Sequence, residues 1–285
     1  MKAIRIHAYG DASQMQFEEV PVPACGPNDV LVRVVAAGIG SDAAGVVTAV
    51  GDAVTAFSPG DDVLFYAEFA RGGTYAEYLA VDAAQVALKP RTVSFSTAAV
   101  LPMPGLAAWT ATIEAAQVSR GMRVLIHGGA GALGSVAIQL AKAQGAHVTA
   151  TAGTADVALV QSLGADEVID YRTQKFEQIA QNMDVVIDTL GGPTQEASWA
   201  TLRAGGVLVA TTQPPSPERA AAAGARSAFI FSAPRGNVLA QLAALMDSGT
   251  LRVLVGQEFA LADAAQAHRL GESGKARGKM ILRVG

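Results

Sequence analysis

The residues best suited to chemistry lie in a glycine-rich hexapeptide near the middle of the chain. Gly129-Ala130-Gly131-Ala132-Leu133-Gly134 fits the spacing G-x-G-x-x-G. A short apolar strand, Val124 to His127, stands before it, and an amphipathic helical pattern running from Leu133 to Ala143 follows. Glycines spaced in this way between a strand and a helix are typical of a loop that binds the diphosphate of a dinucleotide.

Each glycine of this loop has its own predicted task. Gly129 lets the chain turn sharply, Gly131 lets the backbone approach a diphosphate, and Gly134 lets the helix pack close to the sheet. The free N–H groups at the start of the helix, together with the helix dipole, attract phosphate. A glycine turn that serves packing alone is the alternative, and the order of strand, turn and helix favours the binding loop.

The next strand indicates which dinucleotide fits. A loop that binds NAD usually has an Asp or Glu about 20 residues beyond its first glycine, which bonds the ribose 2′-hydroxyl. Here that stretch reads Thr149-Ala150-Thr151-Ala152-Gly153-Thr154, and no carboxylate occurs until Asp156. The small side chains leave room for a 2′-phosphate, which favours NADPH, although no arginine or lysine follows at once to pair with it.

Metal and nucleophile chemistry find little support in the residue counts. A zinc site needs three or four converging Cys, His or carboxylate ligands. The chain has a single cysteine, Cys25, and four histidines, none of which forms a pair with ligand spacing. We therefore predict no metal site, and we interpret His127 as a hydrogen-bonding residue at a strand end.

Composition restricts the class of protein. The chain has 285 residues, 51% of them hydrophobic and only 16% charged, which excludes disorder. Mean hydropathy is +0.30, but no apolar run approaches the ~18 residues that span a membrane. The net charge of −4 offers no basic surface for nucleic acid. With one cysteine and a start that reads as a strand instead of a signal peptide, a cytoplasmic location is expected.

The pattern of elements changes along the chain. Up to about residue 98, short β-rich runs separated by turns predict a mostly antiparallel, barrel-like unit. After Pro104, buried strands alternate with helices, which predicts a doubly wound parallel sheet and an α/β fold class. Strands are predicted at 1–7, 30–35, 44–50, 63–66, 74–81, 124–127, 147–150, 167–169, 185–187, 207–209, 229–231, 252–259 and 278–284, and helices at 133–143, 154–163, 173–181, 194–202 and 236–248.

An ordered series of short motifs carries a family resemblance over nearly the whole chain. The motifs are Val34–Ile39, Gly40–Val47, Gly72–Tyr78, Leu101–Trp109, Val124–Gly134, Leu163–Tyr171, Val186–Gly192 and Ala276–Lys279. In these the sequence resembles the zinc-free medium-chain dehydrogenase/reductases, in the NADPH:quinone oxidoreductase (zeta-crystallin-like) branch. The resemblance implies a GroES-like catalytic domain, 1–99 with 250–285, and a Rossmann dinucleotide-binding domain, 100–249.

The resemblance also implies an activity and a set of cofactor contacts. The activity is hydride transfer from NADPH to a quinone or other α,β-unsaturated carbonyl, with the cofactor supplying the chemistry. Ala130 to Leu133 would meet the pyrophosphate, Gly153 and Tyr171 the adenosine phosphate end, Leu190 and Thr211 the nicotinamide ribose, and Phe231 the nicotinamide. Other interpretations stay open: Tyr171 as a strand cap, Phe231 as a core or subunit-edge residue, and Asp188 as a residue that positions a loop.

One departure from the family bears on the substrate. Members similar to this chain carry a sizeable pocket-lining segment between the positions of Ile39 and Gly40, where this sequence continues directly. A true deletion, or a segment missing from the sequence, would each explain this. Among the remaining residues, Tyr66 at a strand end is the candidate proton donor, with water as the alternative.

The sequence leaves two other functions open and favours a dimer. The alternatives are a zinc-free alcohol or aldehyde dehydrogenase and a non-catalytic, crystallin-like NADPH-binding protein. The apolar run at 227–231 is expected to be the last strand of the parallel sheet. An exposed edge strand of this kind invites pairing across a two-fold axis, so we expect a homodimer.

Overall fold

A computed structural model describes residues 1–68, 71, 73–274, 276 and 278–285. Gly72 and Arg277, which belong to two of the motifs above, lie outside the described residues. The chain divides into two compact units, unit 1 comprising Met1–Leu106 with Ala233–Gly285 and unit 2 comprising Ala107–Ser232. The domain limits at residues 99 and 249 stay a prediction, and the segment 233–249 is the main one that the two divisions assign differently.

Strands and helices alternate along much of the described chain. The strands are β1 (Lys2–Ile6), β2 (Met15–Glu19), β3 (Asp29–Gly38), β4 (Asp42–Val50), β5 (Asp62–Tyr66), β6 (Tyr78–Asp82), β7 (Val86–Leu88), β8 (Arg123–Ile126), β9 (His147–Ala152), β10 (Glu167–Asp170), β11 (Met183–Asp188), β12 (Leu202–Ala210), β13 (Arg226–Phe229), β14 (Val255–Ala260) and β15 (Lys279–Arg283). The α-helices are α1 (Phe95–Ala98), α2 (Pro102–Trp109), α3 (Ala132–Ala143), α4 (Val157–Ser162), α5 (Phe176–Ile179), α6 (Gly192–Ser198), α7 (Pro217–Ala222), α8 (Gly236–Asp247) and α9 (Ala264–Glu272). A π-helical turn, Thr110–Ala115, follows α2.

Unit 1 is built on a seven-stranded sheet. Its order is β14-β15-β3-β4-β5-β7, with β6 also paired to β3. All of these pairs are antiparallel except β14 with β15. Side chains two residues apart on β3, such as Val30, Val32 and Val34, enter one hydrophobic core with Phe65 and Leu282. This confirms the mostly antiparallel unit and the return of the C-terminal strands to it.

The connection between β3 and β4 is a three-residue turn, residues 39–41. Gly38 and Asp42 face each other in the strand register, and Gly40 has a φ of +123°, a conformation that glycine adopts readily. The N–H of Gly40 donates to the Tyr75 hydroxyl at 2.9 Å, and the Thr74 hydroxyl donates to the Gly40 carbonyl at 3.2 Å. Both polar groups of Gly40 are therefore satisfied, and the strands join directly where the family resemblance led us to expect a longer segment.

Unit 2 contains a six-stranded, all-parallel sheet. Its order is β10-β9-β8-β11-β12-β13, so the chain begins at a central strand, moves outward through β9 and β10, and then crosses to β11. Val124, Leu125 and Ile126 are fully buried, as expected for a strand covered on both faces. The doubly wound sheet is thus confirmed, and its order places a topological switch point between β8 and β11, where such sheets bind ligands.

Several predicted elements differ from those observed: the strands predicted at 74–81 and 252–259 begin later, at Tyr78 and Val255. The predicted helix 173–181 is reduced to α5, because Thr173 and Gln174 donate their N–H groups to the Asp170 carbonyl and close a turn instead. The predicted strand 229–231 is β13, which begins three residues earlier at Arg226 and ends at Phe229. Polar residues are tolerated there because β13 is an edge strand. No helix in the described part of the chain is long and apolar enough to cross a membrane.

Candidate functional site

The glycine-rich loop lies at the switch point, between β8 and α3. The positive φ of the turn, +68°, belongs to Gly128 and not to Gly129, where the sequence predicted the sharp turn. Gly129 is needed for another reason: a Cβ there would stand 3.1–3.2 Å from Ile138, Val160 and Ala150. A Cβ at Gly134 would overlap the carbonyl oxygen of Gly128, so the close helix packing expected of Gly134 is present.

The loop leaves several amide groups available. Gly131 is the N-cap of α3 and donates its N–H to the Gly128 carbonyl at 2.9 Å, and no side chain caps the helix. Within the described residues, the N–H groups of Ala130, Ala132 and Leu133 have no acceptor. A 12-residue helix whose first N–H groups are unpaired presents partial positive charge, which is what a diphosphate requires.

The loop is fastened to the neighbouring strand β9 through one residue. Gly129 donates its N–H to the Thr151 carbonyl at 2.9 Å, and Gly128 donates its N–H to the Thr151 hydroxyl at 3.2 Å. The hydroxyl in turn contacts the imidazole of His127. His127 is fully buried at the end of β8, which agrees with its interpretation as a hydrogen-bonding residue at a strand end.

Gly153 and Tyr171 meet at the carboxyl ends of β9 and β10. A Cβ at Gly153 would lie 3.2 Å from the Tyr171 hydroxyl and 3.6 Å from Nε of Arg172. The Arg172 guanidinium lies 5.7 Å from the centre of the Tyr171 ring. Arg172 therefore places a positive charge beside Gly153, which the sequence analysis did not find after β9. The signal that could have found it is the position of Arg172 just past β10, the strand that pairs with β9.

The acidic residue beside Arg172 is held by hydrogen bonds. The Thr154 hydroxyl donates to the Asp170 carboxylate at 2.6 Å, and the Arg172 N–H donates to it at 3.0 Å. These bonds, the first above all, hold the pKa of Asp170 below its ordinary value. The carboxylate is thus committed to ordering the turn that carries Tyr171 and Arg172.

The remaining predicted contacts follow β11, β12 and β13. Leu190 is exposed, and its Cδ2 would lie 3.6 Å from a Cβ at Gly128, so Leu190 borders the glycine loop. Thr211 donates its N–H to the Asp188 carbonyl at 3.1 Å. The Asp188 carboxylate accepts the N–H groups of Leu190 and Gly191 at 3.0 Å each, which supports its interpretation as a loop-positioning residue. Phe231 is 82% exposed and packs edge-on against Phe229, so it is not a core residue of this chain.

Tyr66, the candidate proton donor, lies in unit 1 at the end of β5. Its side chain is buried, and burial raises its pKa. The described part of the chain contains no group of three or more His, Cys, Asp or Glu side chains arranged to hold a metal ion.

Comparison with family models assigns two segments. Residues 34–91 match the alcohol dehydrogenase GroES-like domain, and residues 163–282 match the zinc-binding dehydrogenase domain. The first segment lies wholly in unit 1, whereas the second begins in unit 2 and ends in unit 1.

Individual proteins are similar over nearly the whole chain. The NADPH-dependent alkenal/one oxidoreductase of Arabidopsis thaliana chloroplasts is 33% identical, over 99% of this chain and 79% of its own length. The quinone oxidoreductase of Coxiella burnetii has a structure with a TM-score of 0.92 at 30% identity, covering 100% of this chain and 99% of that one. The Escherichia coli quinone oxidoreductase, solved with NADPH, gives 0.89 at 25% identity over 99% of this chain and 100% of that one.

The alignment with the plant relative is longer than the present chain. It is 318 residues long, whereas the present chain has 285 residues in all. The relative therefore has additional residues inside the matched region.

Proposed function

Because this chain belongs to the medium-chain dehydrogenase/reductase superfamily, in the branch of the quinone and alkenal/one oxidoreductases, we propose that it reduces a quinone or another α,β-unsaturated carbonyl with NADPH, independently of zinc. The observation that carries the proposal is the glycine loop at the switch point of the parallel sheet, with unpaired amide groups at the start of α3. NADPH, when bound, supplies the hydride from its nicotinamide.

The residues present fit such a cofactor. The unpaired amides of Ala130, Ala132 and Leu133 would hold the pyrophosphate. Gly134 keeps these amides in place, because any side chain there would force α3 away from the loop. Tyr171 and Arg172 would hold the adenosine end, with the guanidinium paired to the 2′-phosphate. No carboxylate follows β9 to bond a free 2′-hydroxyl until Asp156, which favours NADPH over NADH. Leu190, Thr211 and Phe231 remain our proposed contacts at the nicotinamide end.

The protein must also provide or admit a proton, because a hydride added to a conjugated carbonyl leaves a negatively charged oxygen. We propose Tyr66 as the donor. The hydroxyl keeps its proton at neutral pH, and burial raises its pKa, so only a strongly basic oxygen such as an enolate would take that proton. Tyr66→Phe is expected to lower kcat about 10²-fold while the Kd of NADPH stays unchanged. An unchanged kcat would assign protonation to water.

Binding and turnover test the proposal separately. A fluorescence titration of the full chain should give a lower Kd for NADPH than for NADH. NADPH oxidation should then depend on an added quinone or enone, and no NADP⁺ reduction should accompany an alcohol. Turnover of alcohols or aldehydes alone would support a zinc-free alcohol dehydrogenase instead. Failure to bind either nucleotide would refute the proposal.

The turn at residues 39–41 favours a second candidate function. A pocket wall contributed by a longer segment is absent where β3 and β4 join in three residues, and both polar groups of Gly40 are satisfied. A non-catalytic, crystallin-like NADPH-binding protein would keep the cofactor site but lack a complete substrate pocket. It predicts tight binding of NADPH with no oxidation on either the quinone or the alcohol panel.

We propose that the chain acts as a homodimer. β13 ends the parallel sheet and leaves one edge without a partner strand in the described chain. Pairing of two β13 edges about a two-fold axis would cover it. Light scattering at micromolar concentration should give twice the 29.1 kDa chain mass, and a monomeric mass would reject the dimer. A cytoplasmic location and a small-molecule partner complete the proposal.

A further inference from the structure

The imidazole of His127 lies directly beneath the glycine loop and touches two hydroxyl groups. Its Nδ1 lies 3.2 Å from Oγ1 of Thr151, and its Nε2 lies 2.9 Å from Oγ of Ser198. The ring is fully buried and packs edge-on against Phe176, with centroids 4.5 Å apart. None of the contacts proposed for the cofactor uses this side chain.

The direction of these hydrogen bonds follows from their outer partners. The Ser198 hydroxyl donates its single proton to the Thr194 carbonyl at 2.7 Å, so towards His127 it can only accept. Nε2 of His127 therefore carries the proton. A neutral ring then has an unprotonated Nδ1, which accepts the proton of the Thr151 hydroxyl.

The charge state of His127 supports this arrangement. Burial lowers its pKa to about 4, and the carboxylate of Asp188 opposes the shift only in part. Asp188 is itself satisfied by Leu190, Gly191 and Gln195. The neutral imidazole is therefore the form present at neutral pH.

The orientation of the Thr151 hydroxyl determines where the glycine loop is held. With its proton directed at His127, its oxygen accepts the N–H of Gly128 at 3.2 Å. Gly128 makes the turn with positive φ, and its carbonyl accepts the N–H of Gly131, the N-cap of α3. A displacement of Gly128 would thus move the start of the helix and the amides that face the diphosphate.

We propose that His127 is a positioning residue: as the neutral, Nε2-protonated imidazole it orients the Thr151 hydroxyl and thereby fixes the glycine loop in the geometry that receives the diphosphate. This rests on the proposed function, because the loop is assigned to NADPH there. It extends that function by a residue that does not itself touch the cofactor.

Two substitutions each keep one of the two hydrogen bonds of the imidazole and remove the other. In His127→Asn the amide oxygen replaces Nδ1 and can still accept from Thr151, while the contact with Ser198 is lost. In His127→Gln the amide nitrogen replaces Nε2 and can still donate to Ser198, while the acceptor for Thr151 is lost. Both variants remove a similar part of a buried ring, so both should lower Tm by similar amounts.

The Kd of NADPH is the readout that separates positioning from packing. We expect an increase of about tenfold for His127→Gln and of no more than about threefold for His127→Asn, the order of one buried hydrogen bond. Thr151→Val should match His127→Gln, and the double variant should add little, because both act through one bond. Equal Kd values for His127→Asn and His127→Gln, or an unchanged Kd for Thr151→Val, would overturn the proposal.

A measurement without cofactor keeps this inference distinct from the proposed function. Long-range ¹H–¹⁵N correlation spectra of the free protein at pH 7 should show His127 protonated at Nε2 alone. Protonation at Nδ1 would overturn the inference even if NADPH binds. Conversely, wild-type protein that shows the Nε2 form but no affinity for NADPH would refute the proposed function and, with it, the purpose assigned to His127.

Discussion

Arg172 supplies the positive charge beside Gly153, so it should set the preference for a 2′-phosphate. Replacing it by glutamine removes a charge-assisted hydrogen bond, which is worth about 1.5–3 kcal/mol. Arg172→Gln should therefore raise the Kd of NADPH at least about tenfold and leave that of NADH unchanged, as measured by fluorescence titration. Lys175→Gln, an exposed cation three residues further on, is the matched control. An equal increase of the NADPH Kd in both variants would mean that general surface charge, and not a specific contact of Arg172, causes the preference.

Arg172 also shows why the site could be predicted only in part. The motif 129–134 and the absence of a carboxylate after β9 are local features, and both could be read from the chain. The cation comes from the end of β10, and it reaches Gly153 because Asp170 and Ala152 are partners in the parallel register. That register joins residues far apart in the sequence, so no local sequence pattern predicts it. The sequence motif also predicted the sharp turn at Gly129, its first glycine, whereas Gly128 has the positive φ.

A buried ion pair in unit 1 makes a second test at the scale of single residues. Nζ of Lys279 contacts the Asp42 carboxylate, which also accepts the Met103 N–H at 2.7 Å, and neither side chain is more than 7% exposed. Burial lowers the pKa of Lys279 to about 7, and the carboxylate in contact with it favours the charged ammonium. Lys279→Met leaves that carboxylate buried without its cation and should lower the free energy of unfolding by about 3–5 kcal/mol.

The rescue of this variant decides whether charge is the cause. Asp42→Asn combined with Lys279→Met removes both charges, and urea denaturation should show that part of the stability returns. A double variant that is as unstable as the sum of the single ones would assign the loss to packing alone.

At the scale of elements, the two later glycines of the loop should fail differently. Gly131 has an ordinary φ of −75°, and a Cβ there would lie 3.1 Å from the Gly128 carbonyl oxygen. Gly131→Ala should therefore change Tm little but raise the Kd of NADPH, since the methyl group stands where the diphosphate approaches. Gly134→Ala overlaps that oxygen outright and should cost about 1–3 kcal/mol of stability.

The comparison of these two alanine variants tests the assigned tasks of the glycines. Thermal unfolding without nucleotide isolates packing, and a titration with NADPH isolates binding. The tasks would be wrongly assigned if Gly131→Ala lost most of its stability while Gly134→Ala retained it.

The elements themselves were predictable to the extent that burial governs them. α3 begins and ends within one residue of its predicted limits, because an amphipathic pattern and a glycine loop define it. The predicted helix 173–181 shortened to α5 because Asp170 captures the N–H groups of Thr173 and Gln174, a competition that hydrophobic periodicity does not report.

At the scale of the whole molecule, stability should fall with acid in two stages. The pKa of His127 is lowered to about 4, mainly by burial, so between about pH 6.5 and 4 the unfolded chain binds a proton that the folded chain does not. This contribution to stability is complete above pH 6.5 and is lost as the pH falls towards 4. Burial also lowers the pKa of His268, which acts in the same direction.

Carboxylates produce the second stage, at lower pH. Burial would raise the pKa of Asp166, but hydrogen bonds from Lys142 and the Val148 N–H outweigh it and lower the pKa. The stability that Asp166 contributes is present above its unfolded pKa and is lost as the pH falls through the folded value. The loss of unfolding free energy in the first stage should be a few kcal/mol, and the loss in the second stage should follow below about pH 4.

His127→Asn separates the two stages. The free energy of unfolding should be obtained from urea denaturation at pH 7, 6, 5 and 4. With falling pH it should decline less steeply for this variant than for the wild type. Near pH 5 the difference between the two slopes should be close to the slope expected for uptake of one proton on unfolding. The decline below pH 4 should be the same in both proteins, because Asp166 and its partners are unchanged. Identical slopes between pH 6.5 and 4 would mean that His127 is already protonated in the folded protein, and the neutral imidazole beneath the glycine loop would have to be abandoned.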